Sequence, residues 1–454
     1  LHSFDTLPTL SQALITNLQQ LEYTTMTPIQ EAALPPLLDG KDIIAQAKTG
    51  SGKTVAFGIP LIEKIDTKRY NPQAIILSPT RELADQVAKE LRRVARYQKN
   101  LKILTLCGGT PMRPQIASLS RGAHILVGTP GRIQDHLSRE TIELKDIKRV
   151  VLDEADRMLD MGFYDAIKKI ISNLPKSRQS MLFSATYPEN IEKLSQEILK
   201  EPVVVKIDTQ HSDRVIEEIL YRVEYSQKQH ALLEILKAYK PKSTIIFCNT
   251  KADTIEVADL LRAKHFDALD LQGDLDQRER NETLLQFANG STQALVATDV
   301  ASRGLDVKDI ELIINYDIPH DAQIYTHRIG RTARAGAKGK AITLYIPKQE
   351  HKLEAIKEHA IELSLSKLQV ERRFTMQAKY ATICIDGGKK SKLRPGDILG
   401  ALSKDIGVVG EHIGKIDIFE FQSYVAIEKR SFNQAFDGLK RAKIKGKKFR
   451  IWTL

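Results

Sequence analysis

One stretch constrains this chain more than any other: Ala47-Lys48-Thr49-Gly50-Ser51-Gly52-Lys53-Thr54, directly behind the apolar run Asp42-Ile43-Ile44-Ala45. A short buried strand, a glycine-rich turn and a helix in immediate succession form a phosphate-binding loop. Gly50 and Gly52 let the backbone from Ala47 through Ser51 curl until its N–H groups face phosphate oxygens. Lys53 can reach the β and γ phosphates, and Thr54 can hold Mg²⁺. The helix that starts here adds its positive end. The usual pattern opens with Gly where this chain has Ala47. Such a unit belongs to a parallel sheet covered by helices.

A second segment answers the first. Asp153-Glu154-Ala155-Asp156 follows the apolar run Arg149-Val150-Val151-Leu152. Asp153 then stands at a strand end, where a carboxylate can meet a metal, and Glu154 beside it can act as a base toward water. Alone, four such residues are an acidic cluster of the kind that faces solvent. Behind a strand and downstream of the loop, they indicate nucleoside triphosphate hydrolysis.

Apolar strands alternate with amphipathic helices up to about Lys206, including Ala74–Leu77, Lys102–Leu106, His124–Val127 and Ser180–Phe183, with a helix over Glu82–Arg96. A second alternating set begins near Arg214 and includes Ser243–Phe247, Ala294–Ala297 and Glu311–Ile314. Alternation of this kind implies parallel sheets covered on both faces. Only the first set carries a phosphate loop, so two α/β domains share one nucleotide site. A helix is expected around Glu350–Leu363, then a polar linker from Ser364 to Gln377. The remainder reads as strand Ala381–Ile385, helix Pro395–Ile406, strands Ile413–Phe419 and Tyr424–Glu428, helix Phe432–Leu439 and strand Phe449–Trp452. That βαββαβ order is the RNA-recognition-motif topology.

Charge points the same way. The net charge is +11. From Gln377 to Leu454 there are 16 Lys and Arg against 8 Asp and Glu, so most of the surplus lies in this last segment. A basic folded tail favours a polyanionic partner. The three cysteines, Cys107, Cys248 and Cys384, are scattered, which excludes a disulfide framework and a cysteine zinc site and fits a reducing cytoplasm. No apolar run approaches the roughly 18 residues of a membrane span. No secretory signal is visible, and Leu1 in place of Met leads us to expect further residues upstream.

Further motifs, in order and spacing from Phe4 to Gly336, resemble those of the DEAD-box ATP-dependent RNA helicases. Glu22-Tyr23-Thr24-Thr25-Met26-Thr27-Pro28-Ile29-Gln30 resembles the family's adenine-reading motif, with the Gln30 amide able to bond both N6 and N7 of adenine and Tyr23 offering a stacking face. The family usually has Gly where this chain has Glu22. Pro79-Thr80-Arg81-Glu82-Leu83-Ala84, Gly108-Gly109 and Thr129-Pro130-Gly131-Arg132 match motifs that contact RNA. The resemblance thus implies RNA roles for Thr80, Arg81, Gly109, Thr129 and Arg132. Ser184-Ala185-Thr186 matches the motif coupling ATP to strand separation, and the resemblance assigns Asp156 and His327 to coupling as well. In the second domain, Asn249, Gly273, Arg278 and Thr298 fall at RNA-side positions and Asp306 at an ATP position. His327-Arg328-Ile329-Gly330-Arg331-Thr332-Ala333-Arg334 matches the arginine-finger motif. Charge developing on a transferring γ-phosphoryl group calls for such a cation, here Arg331 and Arg334.

The tail resembles the RNA-binding domain of the DbpA (DEAD-box protein A) subfamily through Ala381–Lys390, Leu393–Leu402 and Lys443–Lys447. The resemblance implies two tandem RecA-like domains, 33–206 and 214–363, after a Q-motif region at 1–32. A linker at 364–377 and an RNA-recognition-motif-like domain at 378–454 complete the chain. It also implies a bacterial cytoplasmic protein that uses ATP and Mg²⁺ and meets a hairpin of large-subunit rRNA in pre-ribosomal particles. In the tail the basic positions Lys389, Lys390, Lys392 and Arg394 are the expected contacts, since the first strand offers Ile383 and Ile385 where such domains carry aromatics and Tyr424 is the one obvious aromatic residue on the third strand. Two other activities are compatible with the same motifs. One is an ATP-gated RNA clamp or RNP remodeller with little processive unwinding; the other is a DNA helicase, which the tail argues against.

Overall fold

The computed structural model describes residues 2–47, 50–207, 216–299, 310–332, 339–353, 356 and 360–454. These form two compact units, one reaching residue 207 and the other running from residue 216 to the C-terminus.

In the first unit seven strands form one parallel sheet: β1 (Ile43–Gln46), β2 (Ala74–Leu77), β3 (Ile103–Leu106), β4 (Ile125–Gly128), β5 (Arg149–Asp153), β6 (Gln179–Ser184) and β7 (Val203–Lys206). Their order is β3-β4-β2-β5-β6-β1-β7. Successive side chains enter opposite apolar clusters. Ala74 and Ile76 join one and Ile75 and Leu77 the other, and Met181 and Phe183 oppose Leu182 in the same way. Burial on both faces is why these strands read as unbroken apolar runs. Only the edge strand β7 leaves a large apolar side chain, Val204, in solvent.

The second unit begins with another seven-stranded parallel sheet: β8 (Ile216–Arg222), β9 (Thr244–Phe247), β10 (Ala268–Leu271), β11 (Ala294–Ala297), β12 (Leu312–Asn315), β13 (Gly339–Tyr345) and β14 (Ile361–Leu363). Its order is β10-β11-β9-β12-β13-β8-β14. The helix expected up to Leu363 ends differently: a 3-10 turn covers Pro347–Leu353 and Ile361–Leu363 is the edge strand β14. The stretch 364–377 is not a free tether. Leu365, Leu368 and Phe374 pack on the core of this sheet, Met376 is buried in it, and the Met376 carbonyl accepts the Asp267 N–H at 2.7 Å. Four apolar residues placed among polar ones hold the segment down.

The tail adds four antiparallel strands, β15 (Tyr380–Ile385), β16 (Ile413–Ile418), β17 (Ser423–Glu428) and β18 (Ile451–Thr453), in the order β16-β17-β15-β18. The expected βαββαβ order is present. The first helix is α-helical only over Pro395–Gly400 and continues as a π turn over Ala401–Asp405. The two-residue period of the strands divides the sheet. Ile383, Ile385, Val425 and Ile427 face the tail's own helices through Ile398, Leu402, Ala435 and Leu439. Cys384 and Tyr424 lie on the opposite face and bury Leu285 of the helix Gln277–Ala288, with Trp452 and Leu454 packed alongside. Polar bonds border this contact: Asn289 Nδ2 donates to Thr382 Oγ1 at 2.9 Å, and Lys429 Nζ pairs with Asp267 at 2.9 Å. The outer face of the tail's sheet is therefore covered by the neighbouring α/β domain.

Candidate functional site

Parallel strands send all their C-terminal loops to one edge. In the first unit that edge divides in two. The adjacent strands β3, β4 and β2 deliver Gly109, Thr129, and Thr80 with Arg81. The next strands, β5, β6 and β1, deliver Asp153 and Glu154, Ser184 through Thr186, and the phosphate loop. The expected RNA motifs and nucleotide motifs are thus grouped separately by strand order alone.

Of the phosphate loop, Lys48 and Thr49 lie outside the described residues. Gly50 and Gly52 adopt φ of +85° and +93°, the left-handed region that glycine tolerates. A Cβ on Gly52 would sit 2.6 Å from the Gln30 amide. Gln30 is buried; its Nε2 donates to the Gly52 carbonyl at 3.1 Å and its Oε1 accepts the Thr27 N–H at 2.9 Å. The helix Lys53–Glu63 starts at Lys53, whose buried ammonium donates to the Ala47 carbonyl at 3.0 Å. Among the described residues the buried Ser51 hydroxyl finds no hydrogen-bond partner, and a phosphate oxygen would satisfy it. Tyr23 is less free than expected for a stacking face. Its hydroxyl donates to Glu90 at 2.6 Å and Arg93 lies over its ring at 5.9 Å. Burial and the Glu90 carboxylate push its pKa up to about 12. Glu22 holds φ +64°, which accounts for glycine being usual there.

Asp153 and Glu154 are both buried. Burial, then the neighbouring Glu154 and Asp156 carboxylates, push the Asp153 carboxyl upward, while the Lys53 ammonium opposes them. A buried carboxylate raised by its acidic neighbours and within the field of a lysine suits a divalent cation. Glu154 holds φ +53°, and its Oε2 accepts a 2.7 Å bond from Arg157, both side chains being 5% exposed. Asp156 ties this loop to the next. Its Oδ2 accepts the Thr186 hydroxyl at 2.9 Å, the Thr186 N–H at 2.9 Å and the Ala185 N–H at 3.1 Å. Its own N–H reaches the buried Ser184 hydroxyl at 3.4 Å. The acidic loop and the Ser184–Thr186 loop are thereby bonded to each other directly.

On the other half of the edge, Thr80 caps the helix Arg81–Val94 by accepting the Leu83 N–H, and Arg81 lies 3.7 Å from Asp85. Gly109 has φ +71°. Thr129 precedes the helix Pro130–Ser138, and Arg132 donates to the Thr110 carbonyl at 3.0 Å.

In the second unit the strands β10, β11 and β9 present Gly273, Thr298 and Asn249 in the corresponding place. Arg278 opens the next helix and pairs with Glu282 at 3.0 Å. His327 and the buried Arg331 lie on or just after the helix Ala322–Ile329. Asp306 and Arg334 fall outside the described residues. Two buried arginines were not expected from the sequence. Arg157 holds Glu154, as above. Arg328 is 1% exposed and makes a fork with Asp299 at 2.6 and 2.7 Å. It also donates to the Asn249 and Asn315 amide oxygens at 2.9 and 3.2 Å and to the Asp317 carbonyl at 2.6 Å. Asn249 is thereby oriented from within the domain. The order of residue types does not mark either arginine; Arg328 stands inside a matched motif, and Arg157 follows one directly.

Comparison with known proteins shows the family of the chain. Family models described as DEAD/DEAH box helicase, helicase conserved C-terminal domain and DbpA RNA binding domain match residues 27–194, 227–336 and 382–453. The chain is 49% identical over 454 residues to the ATP-dependent RNA helicase DbpA of Escherichia coli, covering 100% of this chain and 99% of that protein. It is 36% identical to the DbpA of Bacillus subtilis, covering 97% of each. Among solved structures, S. cerevisiae Dbp5 bound to RNA and ADP BeF3 superposes with a TM-score of 0.73 at 30% identity, over 80% of this chain and 96% of that one.

Proposed function

Because this chain belongs to the DEAD-box ATP-dependent RNA helicases, in their DbpA branch, we propose that it separates short RNA duplexes in large-subunit rRNA during ribosome assembly. The observation that supports the reading is the grouping of Gly109, Thr129, Thr80 and Arg81 on one half of the first sheet's edge and of the phosphate loop, Asp153 and Glu154 on the other, with Asp156 bonded to Ser184 and Thr186. ATP is the nucleotide, with Gln30 reading adenine and the phosphate loop holding the triphosphate. Thr54 and Asp153, the latter partly through water, would hold Mg²⁺, which would neutralise charge on the β and γ phosphates. Glu154 accepts the proton of the attacking water, with Arg157 fixing its carboxylate. Arg331 and Arg334 stabilise the transition-state charge on the phosphoryl group. The core contacts the RNA backbone and so tolerates any sequence. The basic tail selects a large-subunit rRNA hairpin, in a bacterial cytoplasm.

The test is duplex separation beside ATP turnover, on duplexes with and without an appended large-subunit rRNA hairpin. Separation that needs ATP and is faster with the hairpin is the expected result. Turnover without separation would favour an RNA clamp, and equal rates on both substrates would remove the hairpin from the reading.

A further inference from the structure

We propose that the tip of the β16–β17 hairpin, Phe419-Glu420-Phe421-Gln422, is a base-stacking site for an unpaired nucleotide of the RNA that the tail holds, an inference that rests on the tail's binding RNA. The sheet face is closed to bases, since Cys384, Tyr424 and Trp452 pack against the helix Gln277–Ala288. The aromatic surface left to this domain lies elsewhere. Phe421 is 64% exposed and Phe419 is 49% exposed, an unusual state for two rings on one short turn.

The rings do not stand alone. The turn bearing Lys389 and Lys390 is fastened to them by backbone bonds: the Lys389 N–H donates to the Phe419 carbonyl at 2.8 Å and the Lys390 N–H to the Glu420 carbonyl at 2.9 Å. Gly388 makes this approach possible, because a Cβ there would lie 2.4 Å from the Phe419 oxygen and 2.8 Å from the Gln422 nitrogen. The Phe419 ring is set edge-on against Tyr424 at 5.6 Å, which fixes its orientation. Lys389, Lys390, Lys392 and Arg394 are all exposed around the turn, and one acid, Glu420, lies 3.3 Å from the Lys390 ammonium. Exposed ring faces held at fixed distance from a cationic turn match a splayed base and its flanking phosphates. The positive surplus of the segment selects nucleic acid over an apolar protein partner.

The experiment measures binding of the full chain to two RNAs with equal phosphate counts: a large-subunit rRNA hairpin with an unpaired loop, and a blunt duplex. Phe421→Ala is expected to weaken hairpin binding about tenfold, as loss of one base–aromatic stack does, and to leave duplex binding unchanged. Phe421→Trp is expected to restore the hairpin affinity. The pair Lys389→Ala and Lys390→Ala is expected to weaken both RNAs and flatten the salt dependence. Emission of Trp452 checks that each alanine variant is folded, and circular dichroism checks Phe421→Trp. If Phe419→Ala with Phe421→Ala binds the hairpin like the unaltered chain while the lysine pair weakens it, the tail holds RNA but the rings do not stack on it. Equal losses on hairpin and duplex would also refute stacking. If the lysine pair changes nothing, the RNA role of the tail falls, and this inference with it.

Discussion

Replacing Arg328 by Met should unfold the second unit far more easily while leaving the first intact. The Arg328 side chain is among the largest that are fully buried, and its guanidinium makes five hydrogen bonds, two of them the fork to Asp299. It also lies over the Phe247 ring at 5.1 Å. Methionine fills most of the volume but returns none of those bonds. Removing one partner of a buried, hydrogen-bonded pair costs about 3–5 kcal/mol. Lysine keeps a charge but not the planar fork, so Arg328→Lys should cost roughly 1–3 kcal/mol. The readout is available in the chain itself. Trp452 is the sole tryptophan and belongs to the second unit, so its emission during urea unfolding reports that unit. A midpoint lowered by roughly 1–2 M urea is expected for Arg328→Met. RNA-dependent turnover should fall too, because Asn249 loses the donor that orients it. A variant that unfolds with wild-type Trp452 emission and midpoint would refute the reasoning.

Four other outcomes follow from local geometry. All three thiols are buried, and burial pushes Cys107 and Cys384 up to about 12. The folded chain should therefore resist a thiol reagent at pH 8, and Leu285→Lys, by opening the docked sheet face, should release one reactive thiol at Cys384. Since those thiols bind protons more tightly when folded, their contribution to stability is complete below about 9 and is lost as pH rises toward 12, so alkaline unfolding should show it. Glu22→Gly should stabilise the first unit by about 0.5 kcal/mol, because a left-handed backbone costs a side-chain-bearing residue about 1 kcal/mol and glycine gives back part of that in chain entropy; an unchanged melting curve would show that Glu22 is unstrained. Gln30→Ala should narrow the preference for ATP over GTP by roughly 1–3 kcal/mol, measured as the ratio of kcat/KM values, and an unchanged ratio would remove Gln30 from the adenine site.

The sequence disclosed the fold where burial is two-sided. β2, β5 and β11 are nearly uninterrupted apolar runs, and a strand buried on both faces has no other form. Edge strands follow a different rule. β14 is exposed along its length, so its composition resembled the end of a helix. The packing of segment 364–377 was hidden for a related reason: its polar residues outnumber the four that anchor it, and average polarity hides anchors. The nucleotide loop and the acidic loop were legible because their chemistry fixes residue type and spacing. Arg157 and Arg328 were not, since a lone arginine in sequence ordinarily faces solvent and only the surrounding acceptors show otherwise. Phe419 and Phe421 escaped notice because the contacts expected off the sheet were the basic residues of the neighbouring turn, and nothing in the sequence shows that the hairpin tip is fastened to that turn while the sheet is covered by Leu285 and its helix.

The central claim is that ATP is hydrolysed at Glu154 under the control of RNA bound along the same sheet edge. The most direct measurement is steady-state ATP turnover across an RNA titration, for the unaltered chain and for Glu154→Gln, with ATP and RNA binding measured in parallel. The amide keeps the shape of the carboxylate but cannot accept the proton of water. The account predicts turnover that rises with RNA in the unaltered chain, and in Glu154→Gln retained binding of both ligands with turnover lost. Turnover in Glu154→Gln equal to that of the unaltered chain, or turnover indifferent to RNA in both, would contradict it.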